Sequence, residues 1–197
     1  MKLILFSLFS FSFTCSIRSQ VNYSVNILNE REIHQKEFVE NILDSTEKAN
    51  FQGICYFDID TNFIVEAKFT RKKGKKFIMP MSKKRTVYYR KYGELSFTVN
   101  DTICILQLYE NLSLKGNKEF KDYLFLPFKD KTTGKSTYDA GRYLDVYKSK
   151  NVIWIIDFNK AYQPYCAYSD RYSCPIVPQE NSISVAILAG ECYEGKH

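Results

Sequence analysis

Two periodicities divide the chain. Between Asn29 and Leu43 the apolar residues Ile33, Phe38, Val39, Ile42 and Leu43 recur at three- and four-residue spacing, which predicts a helix with one apolar face. Asn29 stands where an N-cap would, and Glu32, three residues on, where a capping box places its acid. From Phe51 the period falls to two. Phe63, Val65, Ala67 and Phe69 alternate with Ile64, Glu66, Lys68 and Thr70, the mark of a strand with one face on a core. Short strands are expected at Phe77 to Met79, Thr86 to Arg90 and Leu95 to Val99. Asn100-Asp101 then signals a turn before a return strand, Thr102 to Tyr109. Further strands follow at Leu124 to Phe128, Arg142 to Val146, Val152 to Ile156 and Ile183 to Ala189, the middle two expected to pair as a hairpin across Lys148 to Asn151. No stretch alternates strand with helix as a parallel sheet would require. The expected class is mainly β, an antiparallel barrel or sandwich with one N-terminal helix.

The N-terminus changes the picture of where this domain works. Lys2 precedes an apolar run from Leu3 to Phe13, broken only by serines, and Ser16 to Gln20 are mostly small or polar. That order reads as a secretory signal peptide over residues 1–19, leaving 20–197 as a single globular domain. Export to the periplasm or the extracellular space follows. Cys15 offers the alternative of a lipid anchor, the one route by which a membrane would become a partner.

Composition supports the class and narrows the partners. Phe and Tyr, 15 of each, raise the aromatic share to 16%, and such residues suit half-buried sheet surfaces. A chain of 197 residues hides roughly 70% of its unfolded surface on folding, enough for a real core. The net charge of +6 is concentrated in Arg71-Lys72-Lys73-Gly74-Lys75-Lys76 and Lys83-Lys84-Arg85. Both runs lie between strand-like segments, so they read as solvated hairpin tips, and no nucleic-acid partner is expected. With Cys15 removed, five cysteines remain: Cys55, Cys104, Cys166, Cys174 and Cys192. The tyrosine- and serine-rich stretch between Cys166 and Cys174 reads as a compact loop, which makes them the disulfide candidate; burial of both as small hydrophobes is the other reading.

Candidate chemistry is limited by what is missing. His34 and His197 are the two histidines, too few and too badly placed for a Ser-His-Asp or Cys-His arrangement or a histidine-based zinc site. Gly134-Lys135-Ser136 lacks the first glycine of a phosphate-binding loop. The residues imply neither metal nor cofactor. Acids, amides and a guanidinium remain. Asp157 and Asn159 are two apart at the end of an apolar strand and Arg142 could face them; Glu180, Asn181 and Glu191 follow the proline-rich loop, with Tyr138, Tyr162 and Trp154 as aromatic walls. Three readings stay open: a pocket for a small polar or anionic ligand, a carboxylate-based hydrolase using Asp157, Glu180 or Glu191, and a purely structural staple of loop backbone.

The second half of the chain carries an ordered set of motifs: Phe128-Lys129-Asp130-Lys131-Thr132-Thr133-Gly134, Thr137-Tyr138, Gly141-Arg142-Tyr143-Leu144-Asp145, Asp157-Phe158-Asn159-Lys160-Ala161-Tyr162, Pro164, Cys166-Ala167-Tyr168, Cys174-Pro175, Pro178, Glu180-Asn181 and Ala189-Gly190-Glu191. Over Leu124 to Glu191 this resembles the family catalogued as domain of unknown function 1684, uncharacterised proteins of secreted bacterial type. The resemblance extends more loosely to the strands before it. It implies no activity that could be assigned to any residue. Gln163-Pro164-Tyr165-Cys166 stands where the family pattern often has Asn-Pro-Pro-Cys, and Ile176-Val177 where it has Leu-Pro; neither difference touches the acids or thiols.

Overall fold

The computed structural model describes residues 7–193, with side chains from residue 20 onward. The chain divides into two compact units, Met1–Ile42 and Leu43–His197. The first contains one helix, α1 (Ser7–Asn41). Asn29 therefore sits inside a helix and not at its cap, and Ile33, expected on the apolar face, is exposed. The physical reason is plain in the sequence: no glycine or proline lies between residues 7 and 41 to stop the helix. Of the expected leader, residues 7–19 belong to α1; residues 1–6, the Cys15 side chain and His197 lie outside what the structure describes. Among the described residues, no helix is long and apolar enough to cross a membrane.

The second unit opens with a short helix that the periodicity did not show, α2 (Ser45–Asn50), started by a capping box in which Asp44 and Glu47 satisfy each other's backbone amides. Seven strands follow: β1 (Ile64–Arg71), β2 (Lys76–Met79), β3 (Val87–Val99), β4 (Thr102–Asn111), β5 (Tyr123–Phe128), β6 (Arg142–Tyr147) and β7 (Ile153–Asp157). They form one antiparallel sheet in the order β6-β5-β4-β3-β1-β7, with β2 also on β3. The sheet curls into a half-barrel, so the mainly β, antiparallel class holds. At the β3–β4 turn, Asn100 and Asp101 both take positive φ, 45° and 58°, as a tight hairpin of matching twist requires.

Three pairings differ from expectation. Thr86 to Arg90 and Leu95 to Val99 are one strand, β3, broken by a bulge between Lys91 and Gly93. The extra residue reverses the faces: Tyr89 and Lys91 stand on the side of Tyr109, whereas Leu95 and Phe97 stand on the side of Leu106 and Cys104. A Cβ at Gly93 would lie 2.4 Å from the Phe69 ring and 2.7 Å from the Thr70 carbonyl, so the bend needs glycine there. The second difference is that β1 and β2 both run antiparallel to β3, one after the other. The basic run from Arg71 to Lys76 is thus an interruption in one line of strand opposite the bulge, not a hairpin tip; Lys83 to Arg85 do lie in the β2–β3 connection. Finally, β6 and β7 do not pair. β6 pairs with β5 and β7 with β1, which puts them at opposite ends of the sheet order. Sequential neighbours usually pair, but here the half-barrel sends them to its two edges.

The faces of the sheet carry separate apolar layers. Inside the curl lie Val65, Ala67, Leu95, Phe97, Leu106, Leu108, Leu126, Phe128, Trp154, Ile156 and Phe158, closed by Ile183, Val185, Ile187 and Ala189. On the other face Met79, Val87, Tyr89, Tyr109, Phe125 and Tyr143 pack under Val177 from the proline-rich loop. Residues 183–189 alternate buried and exposed as a strand would, yet form none. Ile183 and Val185 bond the backbone of Lys129 and Lys131; from Ile187 onward the backbone is held by side chains described below. A disulfide, Cys55–Cys192, ties the start of this unit to its end across 137 residues.

Candidate functional site

The polar residues singled out in the sequence fold into three separate ties between distant backbone segments. Asn181 forms the clearest. Fully buried in a 3₁₀ turn, Gln179–Asn181, it accepts the Gln107 amide at Oδ1 (2.8 Å) and donates Nδ2 to the carbonyls of Gln107 (2.9 Å) and Pro127 (2.6 Å). The cause lies in β5: Pro127 has no N–H, so the β4–β5 ladder cannot be completed there. The Asn181 carboxamide fills the gap, acting as a single-residue piece of strand.

Asn159 does the same work elsewhere. Its amide group accepts the Asp60 N–H (3.0 Å) and donates to the Asp60 carbonyl (2.9 Å), while Asp157 caps the turn by accepting the Asn159 amide (3.0 Å). The two residues thus lock the end of β7 to the entry of β1, ninety-nine residues earlier.

Arg142, 1% exposed, is the centre of the third tie. It donates to the carbonyls of Ile187 (2.7 Å), Ala189 and Glu191 (3.2 Å), and to Asp130 Oδ2 (3.3 Å). Asp130 also accepts the Ile187 amide (2.6 Å) and the Thr132 hydroxyl (2.6 Å). The guanidinium lies over the Phe128 ring, 5.2 Å from its centroid. Burial pulls its pKa down to about 10, against the opposing pull of the Asp130 and Glu191 charges. Glu191, equally buried, accepts the Gln163 amide (2.8 Å) and the Tyr168 hydroxyl (3.1 Å). Arg142 thereby ties the irregular 187–191 segment, and does not face Asp157 as the spacing suggested.

Two candidates are more open. Glu180 accepts the Tyr109 hydroxyl (2.9 Å) and lies 3.7 Å from Lys91; burial raises its pKa, but its own backbone amide, Tyr109 and Lys91 outweigh that and hold it below the ordinary carboxylate value. Tyr138 donates its amide to Gln163 Oε1 (3.1 Å) and its hydroxyl to the Cys166 carbonyl (3.4 Å), and burial lifts its phenol to about 12. The Cys166–Cys174 disulfide is not formed: both thiols are free, and the bridge is Cys55–Cys192. The two residues nevertheless meet, with the Cys166 amide donating to Cys174 Sγ at 3.3 Å. Loop compactness placed the pair correctly in space while saying nothing about which cysteines bond.

Asp157 lines a cleft of 420 Å³ where β6 and β7 end the sheet, together with Asp145, Tyr147, Ser149, Asn151, Trp154 and Lys160. Arg142, Glu180 and Glu191 are not among its walls. No group of three His, Cys, Asp or Glu side chains among the described residues could hold a metal ion. The sequence patterns passed over Asp130 and Gln163, which anchor the Arg142 and Glu191 networks, and Asp145, which accepts the Tyr123 (2.9 Å) and Tyr162 (2.7 Å) hydroxyls. For Asp130 a signal existed, since an acid two and three residues before Thr132 and Thr133 is the pattern of a self-bonded turn; for Gln163 there was none.

Comparison places this architecture among proteins of similar sequence and shape. Residues 49–192 match the family described as "Protein of unknown function (DUF1684)". The solution NMR structure of an uncharacterised protein of Haloarcula marismortui superposes with a TM-score of 0.69 at 30% identity, covering 91% of this chain and 99% of that one. No curated protein matches. The match spans both halves of the sheet and all three polar ties, and the chain belongs to the domain of unknown function 1684 family.

Proposed function

We propose that this is a non-catalytic binding domain whose loop acids and amides are structural and whose ligand surface is the cleft at the two sheet edges. The observation that carries the reading is the division of labour among the acids. Asp130 and Glu191 are buried and occupied by backbone amides, hydroxyls and Arg142. An acid–base pair needs two carboxylates available to a substrate at one open site, whereas Asp145 accepts the Tyr123 and Tyr162 hydroxyls, Asp157 caps its turn by accepting the Asn159 amide, and Glu180 bonds Tyr109. The cleft is within the size range of small-molecule sites. Its walls offer two acids, Asp145 and Asp157, against one base, Lys160, beside apolar Leu144, Val146 and Ile156. That balance favours a small polar ligand bearing hydroxyl or amino groups over an anion. Export through the N-terminal leader remains part of the proposal, supported by residues 1–19 of the sequence alone.

Trp154 is the one tryptophan of the chain and lines this cleft, so its emission reports occupancy. In a screen of small polyols, sugars, amino acids and polyamines, a binder will change Trp154 fluorescence saturably and raise the melting temperature. The exposed charge reversal Lys160→Glu will alter its affinity while leaving the fold intact. A binder whose NMR shift changes cluster at Arg142 and Asn181, with Trp154 unaffected, would contradict the assignment.

A further inference from the structure

We propose that Cys166 and Cys174 form a thiol–disulfide exchange site that takes small disulfides as its oxidant, with Cys166 the entry sulfur and Cys174 the resolving one. Three observations place the pair for this chemistry. The Cys166 amide points at Cys174 Sγ at 3.3 Å, so the two residues are already packed sulfur against backbone. Their exposure differs: Cys166 is half-buried and reachable, whereas Cys174 is buried. And the Cys174 segment is clamped from outside the loop. Ser82 donates its amide to the Cys174 carbonyl (2.8 Å), the Cys174 amide donates to Ser82 Oγ (2.9 Å), and Ile176 bonds Pro80 (2.8 Å). Cys174 is therefore held still while the Tyr165–Ala167 turn carrying Cys166 lies across it.

The electrostatics agree with the geometry. A hydrogen bond from Cys166, the backbone amide of Cys166, and the positive charges of Arg85 and Lys83 lower the Cys174 pKa to about 7, although burial opposes them. Cys166 is raised, first by the hydrogen bond it gives to Cys174 and then by burial. The pair thus loses one proton readily and holds the other in the hydrogen bond that Cys166 gives to Cys174. The basic run Lys83-Lys84-Arg85, a solvated connection on sequence grounds, acquires a role here as the positive edge of the thiol site.

Cys174 begins as the thiolate, its proton released to solvent. Cys166 attacks one sulfur of the small disulfide as its own proton passes to Cys174; the disulfide's S–S bond breaks, and the first leaving thiolate takes up that proton. A mixed disulfide now sits on Cys166. The restored Cys174 thiolate attacks Cys166 Sγ and expels the second thiolate, which takes a proton from solvent. Two electrons pass from the cysteine pair to the oxidant, giving an intramolecular disulfide and two small thiols. The product closes the loop between residues 166 and 174 over the aromatic face of the sheet.

Cys104 is the internal control, since it is buried in the sheet interior and burial raises its pKa. The full chain with Cys55–Cys192 intact is incubated with oxidised glutathione at neutral pH, and its thiols are alkylated after denaturation and mapped by peptide mass. Wild type is expected to yield a Cys166–Cys174 cross-link at least ~10-fold faster than any change at Cys104. Cys174→Ala will accumulate glutathione on Cys166, and Cys166→Ala will leave Cys174 unmodified. Should a variant lose its far-UV circular dichroism, the wild-type time course decides: a mixed disulfide on Cys166 that decays as the cross-link grows supports the site. Thiols at 166 and 174 that stay free, or a mixed disulfide that persists without closing, would overturn it.

Discussion

At the scale of single residues, side-chain amides stand in for missing backbone partners. Asn181 makes three hydrogen bonds to two strands in a place where Pro127 leaves the ladder incomplete. Removing it strands a buried N–H and two buried carbonyls, and unsatisfied buried groups are costly. Asn181→Ala is expected to lower unfolding stability by about 2–4 kcal/mol, read from the denaturant midpoint. A midpoint unchanged from wild type would mean that water replaces the amide freely. The sequence pointed to Asn181, Asn159 and Glu191 as polar residues on loops too rich in proline to satisfy themselves. It could not show their partners, because Gln107 is 74 residues from Asn181 and Asp60 is 99 from Asn159. Nothing local encodes those distances.

At the scale of elements, alternation located the seven strands, added one at Ile183 to Ala189 that does not form, and misjudged their connections. Val65, Ala67, Leu95, Phe97, Leu106 and Leu126 face one core as their period of two demands. The same rule applied through β3 would put Tyr89 on that face also, and the bulge at Lys91–Gly93 moves it to the other. The second face is what most distinguishes this sheet: Tyr89, Tyr109, Tyr123, Tyr143 and Tyr162 lie in or against its layer, and burial is the leading cause that raises every one of their phenols, Tyr89 to about 12 and the others further. The sign of the linkage follows. Both states are neutral below pH 10; above it the unfolded chain ionises first, so stability is full below about 10 and is lost as pH rises through the folded values. Ultraviolet difference titration should therefore show part of the tyrosinate signal delayed until the protein unfolds in alkali, in one step with the loss of circular dichroism. All 15 phenols titrating near 10 in a folded protein would refute the buried layer.

At the largest scale, the half-barrel unit faces the problem that its last segment pairs only briefly, with Lys129 and Lys131. Residues 183–189 close the interior with apolar side chains, and only Ile183 and Val185 find backbone partners, at Lys129 and Lys131. Their carbonyls at Ile187 and Ala189 go instead to Arg142 at the start of β6, and the Ile187 amide goes to Asp130. The Cys55–Cys192 bridge fastens the chain just beyond; closing so long a loop contributes about 4–5 kcal/mol in the chain-entropy account. The Arg142–Asp130 pair is thus the point where sheet, loop and C-terminal segment are joined, and the claim that these signature residues hold structure depends on it. Arg142→Met preserves much of the side-chain volume and removes the charge and donors, leaving Asp130 buried without its partner. Equilibrium denaturation of this variant should show a loss of about 3–5 kcal/mol; a wild-type midpoint, together with loss of protection by a bound ligand, would instead make Arg142 a binding residue and contradict the account.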